Sequence, residues 1–197
     1  MALSETLICN AALAKIGAKR INDYADDTES GTEARYCRTH YEMTRDALLR
    51  SHWWRFASGR AVLSRNTTSP TFEWTYQFHL PNDFLRMKSI YENRINDENL
   101  DSYVLEGDQL LTEESSMSIR YIKRITDVSK FDPLFVDALV LLLAIKLAGP
   151  LSGGNAKLIQ LLQMELDNTL STARLVNAVE TNTIGQYDLE TWNDARY

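Results

Sequence analysis

The sequence predicts a mainly α fold carrying a small antiparallel β lobe: a bundle of about four helices interrupted by an inserted sheet of roughly four or five strands. Three observations predict it. Between Asp132-Pro133 and Gly149-Pro150 the chain is apolar at nearly every position, with Asp137 and Lys146 its only charges. A helix apolar on every face must be wrapped by other elements or by lipid. Lipid is not expected, because spanning takes roughly 17–25 apolar residues and two charges interrupt this run. Second, stretches before and after it repeat their apolar residues at helical spacing. Third, residues 66–125 switch to alternation and turn chemistry.

In chain order, Ser4 caps a first helix over 5–16, with Leu7, Ala11 and Ala14 on one face, Ile8 beside them, and Gly17 as its stop. Residues 18–29 form a polar connection rich in carboxylates: Asp23, Asp26, Asp27 and Glu29. Their spacing lacks the glycine and terminal glutamate of a calcium loop, so no metal site is expected. Ser30-Gly-Thr-Glu33 reads as a capping box opening a long helix to about His52. Its core face carries Ala34, Cys37, Tyr41 and Leu48. Trp53, Trp54 and Phe56 follow, large enough to lock the end of that helix against the apolar one.

Past Arg60 the pattern changes. Asn66-Thr-Thr-Ser-Pro70 is a turn cluster. Residues 71–78 alternate, with Phe72, Trp74, Tyr76 and Phe78 on one side, predicting a half-buried strand. Residues 84–91 predict a second strand, 103–112 a hairpin turning at Gly107-Asp108, and 118–123 another strand with Ile119 and Tyr121 on one face. After the apolar helix, Ser152-Gly-Gly-Asn155 turns the chain into a last helix over about 155–180. Its inner side is expected to hold Leu158, Leu161, Leu162, Glu165, Leu166, Thr169, Ala173 and Val176. Residues 182–197 are polar with spaced apolar anchors: Tyr187, Leu189, Trp192 and Tyr197. That composition suggests a docking arm. The organisation is thus a helical bundle from 1–65 and 131–181, an inserted β lobe at 66–130, and an extended arm at 182–197.

The 197 residues carry a net charge of −6. An acidic chain does not hold a phosphate backbone by its overall charge. Residues 31–65 differ: seven arginines minus three carboxylates give +4 locally, leaving −10 elsewhere. Steps of five rotate about 140° on a helix, so these arginines form no stripe. Arg35, Arg38 and Arg45 are candidates for subunit contacts. Cys9 and Cys37 fall on predicted helices and read as reduced core thiols. The opening Met-Ala-Leu-Ser-Glu5 has neither a basic segment nor an apolar core, so no signal peptide is expected. His40, His52 and His79 have no cysteine or carboxylate at ligand spacing, and no phosphate-binding glycine loop or nucleophile elbow is present. The expectation is a non-enzyme without cofactor or metal. A hydrolase using two carboxylates and a DNA-packaging or nucleic-acid-binding factor stay as alternatives.

Several segments resemble one family in order. They are Leu7-Ile-Cys-Asn-Ala-Ala-Leu-Ala-Lys-Ile-Gly17, Arg45-Asp-Ala-Leu-Leu-Arg-Ser-His-Trp-Trp-Arg-Phe-Ala57 and Phe78-His-Leu-Pro-Asn-Asp-Phe-Leu-Arg86. Val104-Leu-Glu-Gly-Asp-Gln-Leu-Leu-Thr112, Arg120-Tyr-Ile-Lys-Arg-Ile-Thr-Asp127 and Phe131-Asp-Pro-Leu-Phe-Val-Asp-Ala-Leu139 continue the series. Together they are similar to the tail tubular protein A family, the head-to-tail adaptors of tailed bacteriophages. The similarity covers most of residues 3–150. It implies a helical bundle with a β lobe, and a structural virion protein that forms a ring, usually of twelve subunits. Such a ring sits in the neck between the portal protein ring and the tail nozzle protein, with double-stranded DNA passing through its bore without specific binding. The resemblance implies assembly in the host cytoplasm, no membrane partner, and a role for the 182–197 arm at the portal or a neighbouring subunit.

Overall fold

The computed structural model describes residues 3–90 and 103–181. It contains helices α1 (Glu5–Lys15), α2 (Thr32–Ser51), α3 (Pro133–Leu151) and α4 (Ala156–Thr181). Between α2 and α3 lie strands β1 (Ser58–Val62), β2 (Tyr76–His79), β3 (Phe84–Ile90), β4 (Tyr103–Glu106), β5 (Gln109–Thr112) and β6 (Ser118–Lys123). The fold is α+β, as the sequence predicts.

Helix α3 is the axis of the bundle, packed by α1, α2 and α4. Asp132 caps it, its carboxylate accepting from the Leu134 and Phe135 N–H groups, and Pro133 opens the first turn. Asp137 and Lys146 are exposed, while Phe135, Leu139, Leu143 and Leu147 are fully buried. By length and composition alone α3 could cross a membrane. Here its apolar faces are spent on neighbouring helices. The helix runs past the expected stop at Gly149-Pro150. Pro150 sits inside the last turn, where its missing N–H forfeits one helical hydrogen bond, and Gly153 and Gly154, both with positive φ, turn the chain.

Helix α1 is rotated from the sequence reading. Ile8, Cys9, Ala12 and Leu13 are buried, whereas Leu7, Ala11 and Ala14 face outward. The core face carries Ile8, Leu13 and Ile16 against a lone Leu7 on the other, so it buries more apolar area. Ser4 does cap it, accepting from the Leu7 N–H at 3.1 Å. The cap of α2 is Gly31, with no side-chain hydrogen bond, so the Ser30 capping box is not formed. Ala34, Cys37, Tyr41 and Leu48 are buried as expected. On α4 the buried residues are Leu162, Leu166 and Ala173; Leu161 and Val176 turn outward and Leu170 packs inward instead.

Among the described residues the lobe holds two three-stranded antiparallel sheets, ordered β1-β6-β3 and β2-β5-β4, in place of one sheet. Strand β1 lies within the range assigned to the helical bundle. Its partner β6 lies sixty residues on, and five residues of shallow alternation, Ser-Gly-Arg-Ala-Val, gave no clear period. The aromatic strand is short. Only Tyr76–His79 pairs, because β5 ends at Thr112 and offers no ladder to residues 71–75. There the chain bends instead: Glu73 has φ 71°, and Phe72 is 78% exposed. The β4–β5 hairpin turns at Gly107, φ 60°, as expected. Bulges in the β3–β6 ladder between Phe84 and Arg86 and between Met87 and Ser89 explain the blurred alternation of β3.

Two cores result. Leu85 and Ile122 join the bundle core, while Leu63, Phe78, Leu110, Met117, Ile119 and Tyr121 form the lobe core. Gly59 lies where β1 passes closely by Tyr121: a Cβ there would lie 3.1 Å from the ring, which would have to shift by a few tenths of an ångström.

Candidate interaction surfaces

The aromatic cluster after α2 is divided between two tasks. Trp54 is buried, donates its indole N–H to the Leu48 carbonyl at 2.9 Å, and meets Phe135 edge-on at 5.2 Å. Phe56 and Phe131 also meet the Phe135 ring, each at 5.1 Å. This is the predicted lock on the apolar helix. Trp53 points the other way, toward β3, where the Arg86 guanidinium lies 4.0 Å over its ring.

The arginines of 31–65 mostly hold the fold together. Arg45 is 3% exposed, so it is not available as a subunit contact, and that expectation is corrected. Its Nε donates to Asp46 at 2.9 Å, and the other Asp46 oxygen accepts from Arg124 at 2.7 Å. The row therefore fastens α2 to the segment following β6. Arg38 donates to the Asp26 and Glu29 carbonyls at 3.0 and 2.8 Å, tying down the loop before α2. Arg50 donates to the Leu85 carbonyl, and Arg65 stacks over Tyr76 at 4.9 Å. Arg35 is the exposed member of the three candidates. The docking candidates Tyr187, Leu189, Trp192 and Tyr197 lie outside the described residues.

The acidic connection is used locally. Asp26 accepts from the Thr28 N–H and hydroxyl, and these bonds hold its carboxyl below the usual range. Glu29 accepts from the Asn22 and Asp23 N–H groups, closing the loop. Among the described residues no three histidine, cysteine, aspartate or glutamate side chains converge as a metal site would require. Cys9 and Cys37 are both buried, and the hydrogen bond to Cys37, with burial, pushes the Cys9 thiol up.

Sequence reasoning missed a cleft of about 360 Å³ between the start of α3 and the end of α4, lined by Trp54, Arg55, Phe56, Asp132, Val176 and Asn177. Asn177 builds its wall. Its oxygen accepts from the Arg55 N–H at 3.0 Å, and its amide donates to the Trp53 carbonyl at 2.9 Å and faces His52 Nε2 at 3.2 Å. Burial, with Arg174 and Arg86 nearby, pulls the His52 pKa down. A neutral imidazole can accept the amide proton; an imidazolium cannot. Asn177 was invisible in the sequence because its partners lie more than a hundred residues away.

Among the described residues, two surfaces stay open. Strand β1 forms a sheet edge beside a shallow cleft of about 330 Å³, with exposed Val62 and with Arg60 directly opposite Arg120. The outer side of α4 exposes Leu161, Met164, Leu175 and Val179 at 61%, 59%, 66% and 66%. Both leave large apolar side chains exposed, and exposed apolar patches are commonly surfaces that other chains cover. The sequence matches no protein-family model and no curated protein.

Proposed function

We propose that the chain is a structural virion protein, a head-to-tail adaptor. In this reading it forms a ring, of twelve subunits by analogy, between the portal protein and the tail nozzle protein, and the genome passes through the bore. The observation that carries the proposal is the serial order of six segments over most of residues 3–150 resembling the tail tubular protein A family. The α+β architecture agrees with that family's helical bundle and β lobe.

Surface chemistry is compatible with the role. A cyclic ring needs two different, mutually complementary patches on each subunit. The β1 edge with its arginines and the apolar outer side of α4 are two such unlike patches. An acidic chain also suits DNA that must slide, since lysines and arginines retain DNA through counterion release. Assembly is placed in the host cytoplasm, with the finished protein in the virion neck.

The test mixes the purified chain with a portal ring and images the product by electron microscopy. A coaxial ring of added density supports the adaptor. Portal rings that stay bare, with free chain recovered intact, overturn it.

A further inference from the structure

Strand β1 leaves one line of backbone groups open. The Leu63 N–H donates to the Met117 carbonyl at 2.8 Å, and the Ala57 carbonyl accepts from the Lys123 N–H at 2.9 Å. Odd-numbered residues thus turn to β6, and even-numbered ones turn their N–H and C=O groups the other way. Beyond β1 that second line is used. The Ser64 carbonyl accepts from the His79 N–H at 3.2 Å, and the Asn66 N–H donates to the Gln77 carbonyl at 2.9 Å. At Arg60 and Val62, among the described residues, it meets no backbone partner. A sheet edge of this kind takes an added strand. On one face it exposes Ser58, Arg60 and Val62; half-buried Gly59 and Ala61 lie on the other. A fitting strand therefore alternates, with acidic and large apolar groups on the Arg60 and Val62 side.

The chain carries a segment of that kind within reach. Tyr187-Asp-Leu-Glu-Thr-Trp192 alternates, with Asp188, Glu190 and Trp192 in one set and Tyr187, Leu189 and Thr191 in the other. The end of α4 lies beside the start of β1. Asn177 accepts from the Arg55 N–H at 3.0 Å, and the Ser58 N–H donates to the Arg55 carbonyl at 3.1 Å. That turn keeps Ser58 within about 7 Å of Arg55. Thr181 ends α4 one turn past Asn177, about 6 Å on. Residues 182–187 span up to about 20 Å, which brings the alternating segment to Ser58. An antiparallel approach would have to start past Val62, about 14 Å further along the edge, so the reach selects the parallel direction.

We propose that residues 188–192 add to β1 of their own chain as a parallel edge strand, a strap along the open side of the sheet. Asp188, Glu190 and Trp192 lie beside Ser58, Arg60 and Val62. Glu190 pairs with Arg60, and Trp192 covers Val62 and the shallow cleft of about 330 Å³ next to it. Leu189 and Thr191 turn to the Gly59 and Ala61 side. The Arg60 N–H donates to the Leu189 carbonyl, and the Val62 N–H to the Thr191 carbonyl. The strap shields an edge that otherwise templates pairing with other chains, so β1 meets another subunit only after the strap has left it. It belongs to the free chain and does not depend on the adaptor reading.

Hydrogen exchange of the full chain, read at single amides by NMR, tests it. The Arg60 and Val62 amides should exchange slowly in the wild type. Glu190→Arg sets like charges side by side and should speed both about fivefold; adding Arg60→Glu should restore the protection. Arg60→Glu, at an exposed site, should leave the circular dichroism spectrum unchanged. Trp192→Ala should speed exchange at Val62. Val62→Cys combined with Trp192→Cys should close a disulfide within one chain on mild oxidation, Cys9 and Cys37 being buried. Fast exchange at Arg60 and Val62 in the wild type overturns the proposal, as does protection that ignores both Glu190→Arg and Trp192→Ala. A disulfide that forms only between chains assigns the segment to a neighbouring copy and overturns the strap as well. The portal-mixing experiment is read separately, so failure of one leaves the other standing.

Discussion

Phe135 is the sharpest place to test the packing. Its side chain is fully buried and three rings meet it: Trp54 at 5.2 Å, Phe56 at 5.1 Å and Phe131 at 5.1 Å, all near edge-to-face. Phe135→Ala removes the transfer energy of the ring and leaves a cavity, a loss of about 3–5 kcal/mol in protein cores. Three edge contacts at about 0.5–1.5 kcal/mol each place this site near the upper end of that range. Phe135→Leu keeps most of the volume and loses the ring geometry, so it should cost about 1–2 kcal/mol. Urea titration reads both: the midpoint should fall while the slope stays constant, since the exposed area on unfolding is nearly unchanged. Melting should drop by roughly 2–4 °C per kcal/mol for a chain of this size. If Phe135→Ala costs under about 2 kcal/mol, or Phe135→Leu costs as much as Phe135→Ala, the aromatic lock is not what holds α3.

Three further outcomes are expected. Arg45→Glu should lose about 3–5 kcal/mol, because it leaves Asp46 beside a buried carboxylate, whereas exposed Arg35→Glu should stay within about 0.5 kcal/mol; chemical denaturation separates them. His52 has a folded pKa below its ordinary 6.5, so its contribution is fully present above pH 6.5 and is lost as pH falls through the lowered folded value. Stability measured on either side of that window should show the loss in wild type and a smaller one in His52→Gln. Gly59→Val should destabilise by about 1–3 kcal/mol, since its Cβ is driven against the Tyr121 ring; a neutral result in thermal melts would show that the ring can give way.

The parts legible in the sequence were those with local causes. The cap at Asp132, the apolar run of α3, the buried face of α2 and the Gly107 turn each rest on residues within one or two turns of each other. What could not be read depended on distant partners. Strand β1 exists because β6 pairs with it. The aromatic alternation at 71–75 yields no strand because nothing lies alongside. Arg45 looked like surface charge, but it is buried and paired with Asp46, whose other oxygen takes Arg124 from a distant segment. The cleft beside Asn177 joins residues from opposite thirds of the chain. On α1, two faces of similar polarity competed, and volume decided between them.

Strand β6 sends Ile122 into one interior and Ile119 and Tyr121 into the other. A peptide six residues long is thereby a shared keel for both halves of the molecule. Prying the sheets away would drag Ile122 out from among the helices, so neither half can melt in advance of its neighbour. Calorimetry should accordingly record one endotherm, and a pull applied at the sheets should arrive at the helices undiminished.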